Sequence, residues 1–296
     1  MSEYTRHRPG RGRVFVRRTF AVLAIAGILA GGAWAGASLV RGDDRPPQTD
    51  TTPPLARLRV IFPEGFTRRE IAERVDAVRE IAIAERNVTP RLTGAAYLSA
   101  SARAKPPAEF RKDWAGKSLE GFLFPATYEF TKLTSSERLV RDQLEFFREQ
   151  WATVNLRYAK SKKLTPYDVL IIASMIEKET VAPEERRLVA AVIYNRLREG
   201  MVLGIDATIR YGRNVPGNEP LKQSDIETIH PYNTRRVAGL PPTPIANPGL
   251  ASIRAAANPA RVDFLYFVRK PDKVHHFFTA SEAEFEAKKC EYGFGC

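Results

Sequence analysis

The segment Leu170–Thr180 has the sequence LIIASMIEKET, in which a strongly apolar run passes directly into charged residues. Thr165 and Asp168, just before it, match the N-cap and the capping-box acid of a helix. From Asp168 onward the residues are apolar on nearly every side, which is typical of a buried helix. We therefore predict a buried helix that ends at two glutamates, Glu177 and Glu179.

These two glutamates leave the predicted helix on different sides. At about 100° per residue, Glu179 lies about 200° around the axis from Glu177, so the pair does not face each other. Glu177 follows apolar residues near a helix C-terminus, where desolvation and the helix dipole both favour a protonated carboxyl, the state of a general acid. A structural glutamate bonded to an arginine or to backbone amides gives the same pattern, so the segment alone leaves both roles open.

Composition and charge restrict the function classes only weakly. The 296 residues suffice for two modest domains or one large one, and a hydrophobic content of 44% with 27% charged residues is ordinary for a globular protein. The net charge is +12, but residues 1–41 hold seven arginines and one acid and so carry +6 of it. The remainder lacks basic runs and basic-aromatic interleaving, so we expect no nucleic-acid partner.

The N-terminal region predicts a membrane anchor. Thr19–Val40 contains 22 residues without a charge, long enough to cross a bilayer core of about 30 Å. Because six arginines precede it, we expect residues 1–18 to form a cytoplasmic tail and the chain after the anchor, at residues 19–40, to be exported. Ala35 and Ala37 form a small-x-small site that also suits a cleaved signal peptide, but the apolar run is longer than a signal peptide needs.

Cysteine and histidine usage gives no metal site. The two cysteines, Cys290 and Cys296, lie at the end of the chain and could close a small loop in an oxidising compartment. They are too few for a cysteine-based metal site, and the four histidines lack zinc spacing. We expect neither a metal nor a cofactor.

The rest of the chain divides into segments of different composition. Residues 41–55 are proline-rich and polar, as in an extended linker. Residues 56–104 predict a short strand and two helices, the first with a capping box at Thr67 and Glu70. Beyond Gly200 the composition indicates short strands and loops. Val237–Leu250 holds four prolines and some apolar residues, which predicts an ordered loop of the kind where binding groups collect.

Six segments follow one another in a recognisable order. They are LEGFLFPATYEF (119–130), ASMIEKET (173–180), AAVIYNRLREGM (190–201), LGIDATIRYG (203–212), PYNTRRVAGLPPTPIANPG (231–249) and FLYFVRKPDKVHHFFT (264–279). Together they resemble the endolytic murein transglycosylase family, also called YceG-like, over about residues 56–285. The resemblance implies an α+β fold with an N-terminal transmembrane helix, a small LysM-like lobe at residues 56–104 and a mixed α and β catalytic domain at residues 105–296.

The resemblance also implies a reaction. Family members cut within nascent peptidoglycan strands, breaking the bond between N-acetylmuramic acid and N-acetylglucosamine without water and leaving a 1,6-anhydro end. By position, Glu177 corresponds to the family's catalytic acid, which would protonate the departing oxygen and then take the proton of the 6-hydroxyl. We thus expect an inner-membrane protein with a periplasmic catalytic domain, with penicillin-binding synthases as possible partners.

The family pattern places further residues near the substrate. They are Asp206, Thr208, Tyr211, Tyr232, Asn233, Thr234 and His276. Asparagine and threonine suit sugar hydroxyls and acetamides, and tyrosine can stack on a sugar ring. The chain departs from the family at residues 204–207, which are Gly-Ile-Asp-Ala where the family usually has Gln-Ser-Asp-Pro or Gln-Thr-Asp-Pro, so an amide expected at the substrate is missing.

Two alternatives to this function stay open at the sequence level. In the first, the protein is a hydrolytic muramidase in which Asp206 activates water. In the second, it is a membrane-anchored protein that binds peptidoglycan through residues 56–104 without cutting it.

Overall fold

The computed structural model describes residues 55–114 and 118–295. The predicted cytoplasmic tail, the anchor at residues 19–40 and nearly all of the linker lie outside the described residues, and so does Cys296. Within the described ranges, no helix combines the length and the apolar character that crossing a membrane requires.

The described chain consists mainly of helices, with four short strands. The strands are β1 (Leu58–Ile61), β2 (Thr127–Phe130), β3 (Tyr266–Arg269) and β4 (His276–Thr279). The helices are α1 (Arg68–Arg86), α2 (Gly94–Arg103), α3 (Arg111–Trp114), α4 (Ser136–Ala152), α5 (Arg157–Ser161), α6 (Pro166–Glu179), α7 (Arg186–Arg198), α8 (Asp206–Arg213), α9 (Gln223–Glu227), α10 (Leu250–Ala257) and α11 (Glu282–Glu291). The predicted α+β class is confirmed.

The strands form two separate antiparallel pairs. Leu58 of β1 lies opposite Phe130 of β2, and Tyr266 of β3 lies opposite Thr279 of β4. The first pair joins the predicted lobe to the predicted catalytic domain, and α2 packs on α4 across the same boundary. Buried side chains from both parts belong to one hydrophobic core. The division at residue 104, and the LysM-like character of the lobe, stay predictions.

Helix α6 lies in the middle of this core. Its capping box is formed as predicted: the Thr165 hydroxyl accepts the Asp168 N–H at 3.2 Å, and the Asp168 carboxylate accepts the Thr165 N–H at 2.8 Å. Residues 169–176 are buried against α7, α8 and α10, and each large apolar side chain contributes about 1.5–3 kcal/mol. The helix stops at Glu179 because Thr180 is extended and donates both its N–H and its hydroxyl to the Ile176 carbonyl.

One predicted region differs from the structure, and one predicted helix start is confirmed. The region after Gly200 was expected to hold strands and loops, yet it contains α8 and α9 before the ordered loop. Near the start of α8 the Ala207 N–H interacts with the Glu179 carboxylate and lowers its pKa, an interaction between distant segments that local sequence does not reveal. The capping box predicted at Thr67 and Glu70 is present at the start of α1.

Candidate active site

Glu177 lies in the last turn of α6 and is partly exposed. Its Oε2 atom accepts a 2.9 Å hydrogen bond from the main-chain N–H of Gly249. Gly249 is the residue before α10, so this bond ties the end of one helix to the start of another. The carboxylate is thereby held by backbone rather than by a flexible side chain.

The turn between β1 and α1 lies against the same end of α6. Gly65 has a φ of 80°, a conformation that glycine adopts without strain. A Cβ added at Gly65 would sit 3.6 Å from Cγ of Glu177, and the Lys178 ammonium donates to the Gly65 carbonyl at 3.3 Å. A residue from the predicted lobe therefore borders the predicted catalytic acid.

Glu64 places a second carboxylate near Glu177. A Cβ added at Gly249 would lie 1.8 Å from Oε1 of Glu64, so the Glu64 carboxylate lies directly against this glycine and a larger residue would push it aside. Since Gly249 also holds Glu177, the two carboxylates lie within about 8 Å of each other, given standard bond lengths. Burial raises the pKa of Glu64, the charge of Glu177 raises it further, and Arg186 lowers it. Nothing in the local sequence marks Glu64 as a site residue, because Pro-Glu-Gly has the composition of an ordinary exposed turn.

Asn247 connects the surrounding loops and is fully buried. Its Oδ1 accepts the N–H groups of Gly121 and Leu123, both at 2.9 Å. Its Nδ2 donates to the Phe66 carbonyl and to Oε1 of Glu120, both at 2.8 Å. The side chain thus satisfies its full hydrogen-bonding capacity and holds the Gly65 turn next to Glu177. The predicted ordered loop is confirmed, but this residue in it was not recognised.

Glu120 is a buried acid behind the Gly65 turn. It accepts the main-chain N–H of Arg68 at 2.8 Å and the hydroxyl of Tyr211 at 3.2 Å. Burial raises the pKa of Glu120 to about 7, although the Arg68 N–H and the Tyr211 hydroxyl lower it. Glu120 therefore joins the start of α1 to α8.

Glu179 turns away from Glu177, as the helical phase predicted. Burial and the charge of Asp206 raise the pKa of Glu179 to about 7, while Arg269, the Ala207 N–H and Arg235 lower it. Asp206 itself is ion-paired with Arg235 at 2.6 Å. The structure thus groups Asp206 with Glu179 rather than with Glu177.

Two of the predicted substrate residues form an aromatic pair beside Glu120. The rings of Tyr211 and Tyr232 have centroids 5.3 Å apart, and the Tyr232 hydroxyl lies 2.7 Å from Oγ1 of Thr243. Through Glu120 and Asn247, this pair is connected to the turn that borders Glu177.

The other four predicted substrate residues, Thr208, Asn233, Thr234 and His276, are at most 5% exposed and bond within the protein. The hydroxyls of Thr208 and Thr234 lie 2.9 Å apart. Asn233 donates to the carbonyls of residues 225, 226 and 228. His276 Nδ1 lies 2.7 Å from Glu185, in a buried pair. Their role in substrate binding stays a prediction, and the contacts favour an indirect one.

Two surface concavities lie away from Glu177. One of about 510 Å³ is lined by residues from α7 and the segment before β3, and one of about 640 Å³ lies between α2 and α4. No cluster of three or more histidine, cysteine, aspartate or glutamate side chains suitable for a metal ion occurs in the part of the chain that the structure describes.

Comparison with known proteins decides the family. The model of the YceG-like family matches residues 38–291. The chain belongs to the YceG-like family. The relatives of this YceG-like chain include a protein named endolytic murein transglycosylase from Streptococcus pneumoniae (strain ATCC BAA-255 / R6), 30% identical over 270 residues, which cover 85% of this chain and 46% of the relative. A protein of the same name from Bacillus subtilis (strain 168) is 38% identical over 153 residues, covering 51% of this chain and 42% of the relative.

The YceG-like chain thus spans less than half the length of these curated relatives. It is also similar to a solved structure of a yceG-like protein from Listeria monocytogenes, with a TM-score of 0.65 and 29% identity. That alignment covers 78% of this chain and 76% of the solved one.

Proposed function

We propose that this YceG-like chain is a lytic transglycosylase, a lyase that cuts within peptidoglycan glycan strands. The observation that carries the proposal is the position of Glu177. It corresponds to the family's catalytic acid, it is partly exposed, and the Gly249 N–H holds its carboxylate in place. The names of the relatives support the same activity.

Glu177 acts in two steps in the proposed reaction. As an acid it gives its proton to the oxygen that leaves C1 of N-acetylmuramic acid. As a base it then takes the proton of the 6-hydroxyl, whose oxygen closes on C1 to form the 1,6-anhydro end. Between the steps the carbonyl of the 2-acetamido group bonds to C1, so no protein nucleophile is required.

We further propose that the protein acts at the bacterial inner membrane. The support is sequence alone: an uncharged segment at residues 19–40, preceded by arginines. In this arrangement the catalytic part is periplasmic, the substrate is nascent peptidoglycan, and penicillin-binding synthases are partners.

Digestion of purified glycan strands tests the activity. The full-length chain, the Glu177→Gln variant and the Glu80→Gln variant are incubated with the strands, and the products are separated and weighed by mass spectrometry. Glu80 is an exposed residue of α1 and serves as the matched control. We expect internal cuts by the wild type and by Glu80→Gln, and none by Glu177→Gln. Binding of strands without cutting by the wild type would instead support the non-catalytic alternative.

A further inference from the structure

The carboxylate of Glu64 has no role in the single-acid reaction, yet it lies close to Glu177 in the structure. It lies over the α-carbon of Gly249, the residue whose N–H holds Glu177. Gly249 has a φ of −73°, which any residue adopts, so its backbone does not demand glycine. The absence of a side chain at Gly249 lets the Glu64 carboxylate lie against the backbone there, since an added Cβ would lie 1.8 Å from Oε1 and would displace it.

The turn that carries Glu64 is fixed on both sides. The Gly65 N–H donates to the Asn247 carbonyl at 2.9 Å, and the Asn247 N–H donates to the Phe66 carbonyl at 2.9 Å. Lys178 holds the Gly65 carbonyl from α6. The loop at Asn247 and helix α6 therefore position the turn that carries Glu64, although Glu64 itself is exposed and open to a ligand.

We propose that Glu64 is a second catalytic residue, which accepts the N–H of the 2-acetamido group on the sugar whose bond is cut. This inference rests on the proposed function, because it concerns the same reaction. A carboxylate within about 8 Å of the acid can reach the C2 substituent of a sugar whose C1 oxygen contacts Glu177. An ionised acceptor makes a stronger hydrogen bond to an N–H than a neutral one does.

The step balances with Glu64 ionised throughout. The C1–O bond to the leaving sugar breaks, and its electron pair goes to that oxygen, which takes the proton of Glu177. The acetamido carbonyl oxygen bonds to C1, and the resulting positive charge spreads onto the acetamido nitrogen, whose N–H is held by Glu64. The 6-oxygen then attacks C1, its proton passes to Glu177, and the electron pair of the bond to the carbonyl oxygen returns to the acetamide.

The surroundings of Glu64 act on its pKa in both directions, with a net raised value. Burial and the Glu177 charge raise the pKa of Glu64, whereas Arg186 lowers it and so favours the ionised form. A partly desolvated carboxylate stabilises a nearby positive charge more than a fully hydrated one does.

The test combines kinetics with a thiazoline analogue of the bicyclic intermediate, in the full-length protein. We expect Glu64→Gln to lower kcat by about a hundredfold with little change in KM, and to lower thiazoline affinity at least tenfold, because a charge-assisted hydrogen bond is lost. Glu80→Gln should change neither quantity. The proposal is overturned if Glu64→Gln keeps kcat within about threefold of wild type, or keeps the thiazoline affinity.

A second variant guards against a folding defect. Gly249→Ala keeps the N–H that holds Glu177 but places a methyl group where the Glu64 carboxylate lies. We expect a well-folded protein with kcat lowered about tenfold or more; unchanged kcat contradicts the role of Glu64. If the wild type does not cut glycan strands, the proposed function itself is wrong. If the wild type and Glu64→Gln both cut glycan strands and Glu177→Gln does not, only the inference about Glu64 is wrong.

Discussion

The main-chain N–H of Gly249 donates a 2.9 Å hydrogen bond to Oε2 of Glu177, joining the start of α10 to the end of α6. The acid is therefore positioned by two packed helices. Gly249 is itself placed by the loop that contains Asn247, whose side chain bonds the Gly65 turn and the loop at residues 121–123. Changes to this loop are expected to affect both stability and cutting.

Replacing Asn247 tests this loop. In Asn247→Leu, the buried N–H groups of Gly121 and Leu123 lose their acceptor, and Glu120 loses a donor. Since each buried polar group left without a partner costs about 1–3 kcal/mol, we expect the free energy of unfolding to fall by about 4 kcal/mol in urea titrations. The exposed Asn218→Leu should change it by less than about 0.5 kcal/mol. Equal effects of the two substitutions would contradict the positioning role of Asn247.

Glu120 makes stability depend on pH. Its folded-state pKa of about 7 lies above the ordinary value of 4.5, so its stabilising contribution is full below about pH 4.5 and is lost as pH rises through about 7. At 1.36 kcal/mol per pKa unit, this loss is about 3 kcal/mol.

The Glu120→Gln variant should not lose this stability as the pH rises, because glutamine does not titrate. Its amide oxygen can accept from Arg68 and Asn247, and its NH₂ group can donate to the Tyr211 hydroxyl. We expect the unfolding free energy of the variant, relative to wild type, to rise by about 3 kcal/mol between pH 4.5 and pH 8 in urea titrations. Identical pH profiles for the two proteins would show that Glu120 does not titrate in this range.

Replacing Asp206 distinguishes a transglycosylase from a muramidase in which Asp206 activates water. Because Asp206 is paired with Arg235 and lies near Glu179, Asp206→Asn should lower the pKa of Glu179 from about 7, as seen by carboxyl NMR. Cutting should persist within about tenfold of wild type, since a lost general base would cost about a hundredfold or more. A larger loss of cutting would instead support activation of water by Asp206.

The fold was predictable wherever local sequence determines structure. The capping box at Thr165 and the apolar run after Asp168 predict the start of α6. The helical phase correctly predicts that Glu177 and Glu179 have different partners. The start of α8 was not predicted, because the Ala207 N–H interacts with Glu179 from another helix. No local pattern contains that contact.

The site was predictable only in part, for the same reason. Glu64 and Asn247 join segments that are distant in the chain, and neither residue type is unusual in a turn or loop. Conversely, Asn233 and His276 have side chains that suit a sugar, but their polar atoms are engaged with carbonyls and with Glu185. Residue type alone does not distinguish a hydrogen bond to substrate from one to the protein.

The most direct test of Glu177 as the acid and base of an anhydro-forming cut uses water labelled with oxygen-18. Glycan strands are digested in labelled water by wild type and by Glu177→Gln, and the new muramic acid ends are weighed. We expect wild-type ends that are one water molecule lighter than a reducing end and free of label, and no new ends from Glu177→Gln. Labelled reducing ends, or unchanged cutting by Glu177→Gln, would contradict it.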